Sequence, residues 1–146
     1  MRVVAQRVSE ACVRVDDITV GEIGPGLLLL VGAGEGDSDA EVRWMADKCA
    51  HLRIFEDDEG RFNLSLLETG GSALVVSQFT LYGDCRKGRR PSFSGALEPG
   101  AAEVLVDAFA RELKGLGVEV STGTFGAKMD VRLVNHGPVT LVIENP

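Results

Sequence analysis

Three short stretches hold the side chains from which chemistry can be built. "SQFT" places the hydroxyls of Ser77 and Thr80 beside Gln78 and Phe79 at the end of an apolar run. "CRKGRRPSF" gathers Arg86, Lys87, Arg89 and Arg90 within five positions, directly after Cys85. "LVNHGPVTLVI" interrupts a run rich in Val, Leu and Ile with His136-Gly137-Pro138. A hydroxyl is a weak nucleophile without an adjacent base, and the chain has only two histidines, His51 and His136. His51 falls at the end of a helical pattern, where an imidazolium suits the helix dipole. His136 is a candidate acid, base or substrate contact. Cys85 beside Arg86 and Lys87 has a setting that favours a thiolate, but no histidine adjoins it. No HExxH or metal-ligand cluster occurs, and "GAGEG" lacks both the Lys-Ser/Thr of a P-loop and the GxGxxG frame.

The Gly-Pro pair has two readings. Proline cannot donate to a sheet ladder, so the pair is either a turn between two strands or a backbone surface with a role of its own.

The elements that must position these groups follow from periodicity. "CVRVDDITVGEI" alternates about an acidic pair and reads as a hairpin turning at Asp16-Asp17. "LLLLV" is a short apolar run bounded by glycines, a buried strand. Ser38 and Glu41 have capping-box spacing. Val42, Met45, Ala46 and Cys49 then follow with helical period, which predicts an amphipathic helix over about 38–52. "LRIFEDDEGRFNLSL" reads as strand, turn at Gly60, strand. A strong strand is expected from Ala73 to Leu81. A second helix is expected over about 99–114, with Pro99 in its first turn, Gly115 at its end, and Leu105, Ala108, Phe109 and Leu113 as its buried stripe. "VEVST", "KMDVRLV" and "VTLVI" are further strands. Hairpins that precede and separate two principal helices indicate an α+β fold with a mainly antiparallel sheet.

Composition sets limits. A chain of 146 residues, 45% hydrophobic and 25% charged, has the size and mixture of one globular domain, 1–146. Three well-separated cysteines argue against a disulfide framework and fit reduced thiols in the cytoplasm. No apolar stretch is long enough to span a bilayer. A net charge of −7 argues against general coating of nucleic acid, including DNA. The basic cluster is then either a solvated loop or a local phosphate site.

In their order, "MRVVAQRVSEACV", "GEIGPGLLLLVG", "LRIFEDDEGRFNLSL", "SQFTLYGD", "RKGRRPSFSGA" and "TGTFGAKMDVRLVNHGPVTL" resemble the D-aminoacyl-tRNA deacylases over nearly the whole chain. The resemblance implies a barrel-like antiparallel core and a homodimer without cofactor or metal. It also implies hydrolysis of the ester between a D-amino acid and the terminal adenosine of tRNA, with glycine mischarged on alanine tRNA as a second substrate. By this resemblance Ser77, Gln78, Phe79 and Thr80 form a wall of the active site. Gly137-Pro138, with a cis bond that proline makes accessible, enters the partner subunit's pocket, held by Arg7. Phe125, Gly126, Ala127 and Met129 line the pocket. Arg86, Lys87, Arg89 and Arg90 are expected to meet the tRNA 3′ end.

On this reading two backbone carbonyls, of Gly137 and Pro138, stand where an L side chain must go, which is selection by clash. Backbone N–H groups near Gln78 and Phe79 stabilise the oxyanion, and the ribose 2′-OH of tRNA activates water. Thr80 as nucleophile is the rival mechanism. The chain departs from the family where His136 stands in place of a more usual acidic residue, and where Cys85 replaces threonine. Two rival functions remain from the residues alone: a nucleic-acid-binding module without catalysis, and a thiol hydrolase using Cys85.

Overall fold

A computed structural model describes all residues from Met1 to Pro146. Eight strands and three α-helices follow in the order β1 (Arg2–Val15), β2 (Ile18–Ile23), β3 (Gly26–Gly32), α1 (Asp39–His51), β4 (Phe55–Glu56), β5 (Phe62–Leu64), α2 (Leu66–Thr69), β6 (Ser72–Ser77), α3 (Pro99–Gly115), β7 (Glu119–Thr122) and β8 (Asp130–Glu144). The main sheet runs β2-β1-β3-β6-β7, and β8 adds to the other side of β1. The β1 pairings with β2, β3 and β8 are antiparallel. The β3–β6 and β6–β7 pairs are parallel, so the expected antiparallel sheet carries a parallel portion. Each of these parallel links returns through a segment containing a helix, as parallel pairing requires. The sheet curls until β7 meets β2, where Ser121 Oγ donates to the Glu22 carbonyl at 3.1 Å. The result is the expected α+β, barrel-like core.

"LLLLV" is apolar throughout because β3 is buried on both faces. Leu27, Leu29 and Val31 face a core shared with Met45, Cys49, Phe109 and Leu113 of the helices. Leu28 points the other way, into the barrel, against Val8, Val13, Leu74 and Val76. The expected stripe of α1 is buried in full at Val42, Met45, Ala46 and Cys49, and its capping box forms through Ser38 and Glu41. In α3, Leu105, Phe109 and Leu113 are buried as expected, whereas Ala108 only borders the core. Asp16 and Asp17 turn the first hairpin with φ of 49° and 62°.

Two expectations change. The strand expected to reach Leu81 ends at Ser77, and the chain turns into a 3-10 helix over Phe79–Tyr82. The strands expected either side of Gly-Pro are one strand, β8, with a local break. Gln6 pairs with Thr140 and Val8 with Asn135, so the single residue Arg7 faces the four residues His136–Val139. The excess chain loops out at Gly137-Pro138 while pairing with β1 resumes on both sides.

Candidate active site

A cleft of about 610 Å³ opens between the end of β6, the start of α3 and the segment leading into β8. Ser77, Gln78 and Phe79 border it on one side, and Phe125, Gly126, Ala127 and Met129 on another. Val31, Val76, Ala102 and Val106 give it an apolar floor. Phe79 and Phe93 stand at its mouth in an edge-to-face pair, with ring centroids 5.1 Å apart, and both rings are exposed. Seven of the residues expected at the site thus come together. Thr80 adjoins the cleft, and its Oγ1 accepts a hydrogen bond from Gln78 Nε2.

The Gln78 N–H donates to the Val31 carbonyl at 2.8 Å, which completes the sheet and removes it as an oxyanion donor. The N–H groups of Phe79 and Thr80 open the 3-10 turn and have no partner within it. They are the unpaired amides of the turn that borders the cleft. No histidine, lysine, arginine or cysteine lines the cleft; Glu98 is its one ionisable group. That carboxylate caps α3, accepting from Gly100 N at 2.8 Å and Ala101 N at 3.0 Å, and these bonds hold it below the usual carboxylate range. It is therefore an anion committed to the helix terminus. The cleft can bind an apolar group, and beyond the helix-capping carboxylate of Glu98 it has no side-chain base.

Gly137 and Pro138 are exposed on β8 and do not line their own chain's cleft. Their peptide bond is cis, and Gly137 has φ +136°. Arg7, only 3% exposed, secures the base of the loop. Its Nε donates to the His136 carbonyl at 2.9 Å and its Nη1 to the Ile54 carbonyl at 2.8 Å. Asn135 closes the loop from within, its Oδ1 accepting from Val139 N at 2.9 Å. His136 itself borders a separate hollow with Arg7, Glu56 and Thr69, away from the SQFT turn of its own chain.

The basic cluster is an exposed loop whose ends are tied by reciprocal hydrogen bonds between Asp84 and Ser92, at 2.7 and 3.0 Å. Its four cations differ in availability. Arg86 forms a bidentate pair with Asp84, at 2.9 and 2.7 Å, and this partner lowers the Asp84 carboxyl to about 2. Lys87, Arg89 and Arg90 have no carboxylate partner. Cys85 is exposed and Cys49 buried; burial pushes the Cys49 thiol up to about 12. Neither borders the cleft.

Comparison with known proteins places this architecture. Residues 4–144 match the profile of the family described as D-Tyr-tRNA(Tyr) deacylase. The D-aminoacyl-tRNA deacylase of Roseiflexus sp. is 64% identical over 99% of this chain and 94% of its own. That of Thermomicrobium roseum is 62% identical over the same shares, 99% and 94%. Among solved structures, one titled "c-Myc DNA Unwinding Element Binding Protein" superposes with a TM-score of 0.95 at 36% identity, covering 100% of this chain and 99% of the other. A probable eukaryotic D-amino acid tRNA deacylase shares the fold at a TM-score of 0.82 and 22% identity, over 97% of each chain. With a match that spans both the SQFT turn and the Gly-Pro loop, the chain belongs to the D-Tyr-tRNA(Tyr) deacylase family.

Proposed function

We propose that this protein is an editing hydrolase that cleaves the ester of D-aminoacyl-tRNA, and of glycine mischarged on alanine tRNA, while sparing L esters. The observation that carries the reading is the cleft itself. It is apolar, is bordered by a 3-10 turn whose first two amides, of Phe79 and Thr80, have no partner within the turn, and contains no ionisable side chain beyond the helix-capping Glu98. An aminoacyl ester is already activated, so oxyanion stabilisation suits it, and one such donor contributes about 2.7–4 kcal/mol. The ribose 2′-OH of the tRNA takes the part of activating water. Ser77 and Gln78 shape the wall, and Phe125, Gly126, Ala127 and Met129 close the opposite side.

Gly137-Pro138 stands outside its own cleft, so the filter acts in a homodimer, each loop entering the other subunit's cleft. Exposed Val134, Leu141 and Val142 on the same strand supply apolar surface for that contact. There the carbonyls of Gly137 and Pro138 occupy the direction an L side chain takes, while D side chains and glycine pass. Lys87, Arg89 and Arg90 attract the phosphates of the tRNA 3′ end, with Arg86 in a supporting place. The net charge of −7 disfavours DNA as a partner.

Hydrolysis of matched D- and L-tyrosyl-tRNA and of glycyl-tRNA, with chelator present, tests the reading. Loss of the D and glycyl esters alone is the expected result. Hydrolysis of D and L alike removes the filter, and binding of tRNA without turnover replaces the enzyme with a binding module.

A further inference from the structure

The glycine-rich "GAGEG" stretch does not bind a nucleotide phosphate in this reading, yet Gly34 within it has a specific constraint. A Cβ added there would lie 2.5 Å from both Cε1 and Cζ of Tyr82. Gly34 is not among the residues of left-handed φ, so the ring, rather than the backbone angle, is what demands glycine. Gly32 presents a second flat surface, its added Cβ falling 3.2 Å from Tyr82 Cε2. The Arg2 guanidinium covers the ring, its Cζ 4.8 Å from the centroid. Arg2 also donates through Nη1 to the carbonyl of Leu81. Burial, reinforced by nearby Asp37, pushes the Tyr82 phenol up to about 12.

Tyr82 is the last residue of the 3-10 turn that begins at Phe79. The ring is therefore fixed at one end of a four-residue turn whose other end, at Phe79, borders the cleft. The glycine surface is itself tied to the cleft wall, since Leu97 N donates to the Ala33 carbonyl at 3.0 Å and Glu35 N to the Gly95 carbonyl at 3.1 Å.

We propose that Tyr82 is a positioning residue for ester hydrolysis: its ring, wedged on Gly34 and covered by Arg2, sets where the Phe79 and Thr80 amides stand. This rests on the deacylase reading above. A turn displaced by the order of an ångström weakens a preorganised oxyanion site by up to about a hundredfold. Tyr82 touches no substrate in this scheme and acts only through the turn.

The test is a double-mutant cycle of Gly34→Ala and Tyr82→Ala, followed by steady-state hydrolysis of D-tyrosyl-tRNA and by the amide resonances of Phe79 and Thr80. Gly34→Ala is expected to lower kcat about 10- to 100-fold with KM changed less than about twofold, and to move both resonances. The double variant is expected to be no worse than Tyr82→Ala alone, because the added methyl then meets no ring. Tyr82→Phe keeps the ring and stays within about threefold of the parent rate. If Gly34→Ala does not fold, Tyr82→Leu replaces it, with the same expected fall in kcat and movement of the amides. Unmoved amides, or losses that multiply in the double variant, overturn the proposal. The resonances need no substrate, so they decide the Tyr82 contact even where the parent protein hydrolyses nothing, an outcome that counts against the proposed function.

Discussion

Arg7 reaches the carbonyl of His136 at 2.9 Å, from the one position on β1 that faces the looped-out residues of β8. A buried guanidinium here does two things at once, since it also satisfies the carbonyl of Ile54 at 2.8 Å. Its aliphatic stem and charge leave water together, and Phe62 packs over it with a centroid distance of 5.4 Å. Arg7→Met keeps the bulk and removes both donors. Each carbonyl left without a partner costs about 1–3 kcal/mol, so unfolding in urea should show a loss of a few kcal/mol. The ratio of D to L hydrolysis should fall further than the D rate, because the loop loses its anchor while the SQFT turn does not. Unchanged stability and an unchanged ratio would refute the anchoring role.

Gly137 has no room for a side chain. An added Cβ would stand 2.9 Å from Arg7 Nη2 and 2.9 Å from Val139 Cγ2, at φ +136°, where L residues rarely sit. Gly137→Ala should therefore displace the loop and cripple hydrolysis of D-tyrosyl-tRNA by tenfold or more, with a stability loss of about 1–3 kcal/mol. Parent rates in that variant would count against a backbone filter.

The elements were readable where period and caps agree. The α1 stripe and its Ser38–Glu41 box, the Asp16-Asp17 hairpin and the alternation of Met129, Val131 and Leu133 each carry a local signal that packing then reinforces. The short helix α2 was missed although its signals were present: Ser65 and Glu68 form a capping box and Gly70 a left-handed C-cap at φ 66°. The end of β6 was not legible. Gln-Phe-Thr-Leu-Tyr suits a strand by propensity, yet the folded chain turns there and seats the Tyr82 ring against Gly32 and Gly34. Pairing of Arg86 with Asp84 is likewise a property of the folded loop, invisible in a count of cations.

That pairing should separate the four cations in any effect on RNA. Contacts to single-stranded phosphates release counterions, with a slope in log K against log salt of about −0.7 per phosphate. Reversing the charge of Arg89 and Arg90 together should flatten that slope by about 1–1.5 and weaken tRNA binding. Arg86→Gln should change it far less, since its guanidinium is occupied by Asp84. Because the folded Asp84 carboxyl is depressed to about 2, the pair persists at and above ordinary carboxylate pH and is lost only as pH falls through that value. Salt titrations near neutral pH therefore compare the same loop. Equal slopes for parent and doubly reversed protein would leave the loop as solubilising charge.

The Cys85 thiol should be dispensable. Cys85 is exposed and Cys49 is buried, with its thiol raised to about 12, so alkylation of the folded protein at mildly alkaline pH should modify Cys85 and leave Cys49 intact. Neither that modification nor Cys85→Ser should change hydrolysis of the D ester by more than about twofold. Abolished activity in Cys85→Ser would restore a thiol mechanism.

The absence of a base in the cleft has a kinetic signature. Thr80 Oγ1 already accepts from Gln78 Nε2, and no imidazole borders the cleft to take its proton. Thr80→Ala should retain most of kcat, whereas a nucleophile's removal costs several orders of magnitude. Glu98 is the remaining ionisable neighbour, and its folded pKa is lowered by the Gly100 and Ala101 amides. With that sign, its capping contribution is present above the ordinary carboxylate range and fades only as pH falls through the depressed value, so it does not titrate near neutrality. The pH–rate profiles of parent, Thr80→Ala and Glu98→Gln should then superimpose between about pH 5.5 and 8. A shared inflection in that interval arises from neither Thr80 nor Glu98. An inflection present in the parent and lost in either variant would assign the base to the protein and displace the ribose hydroxyl from that part.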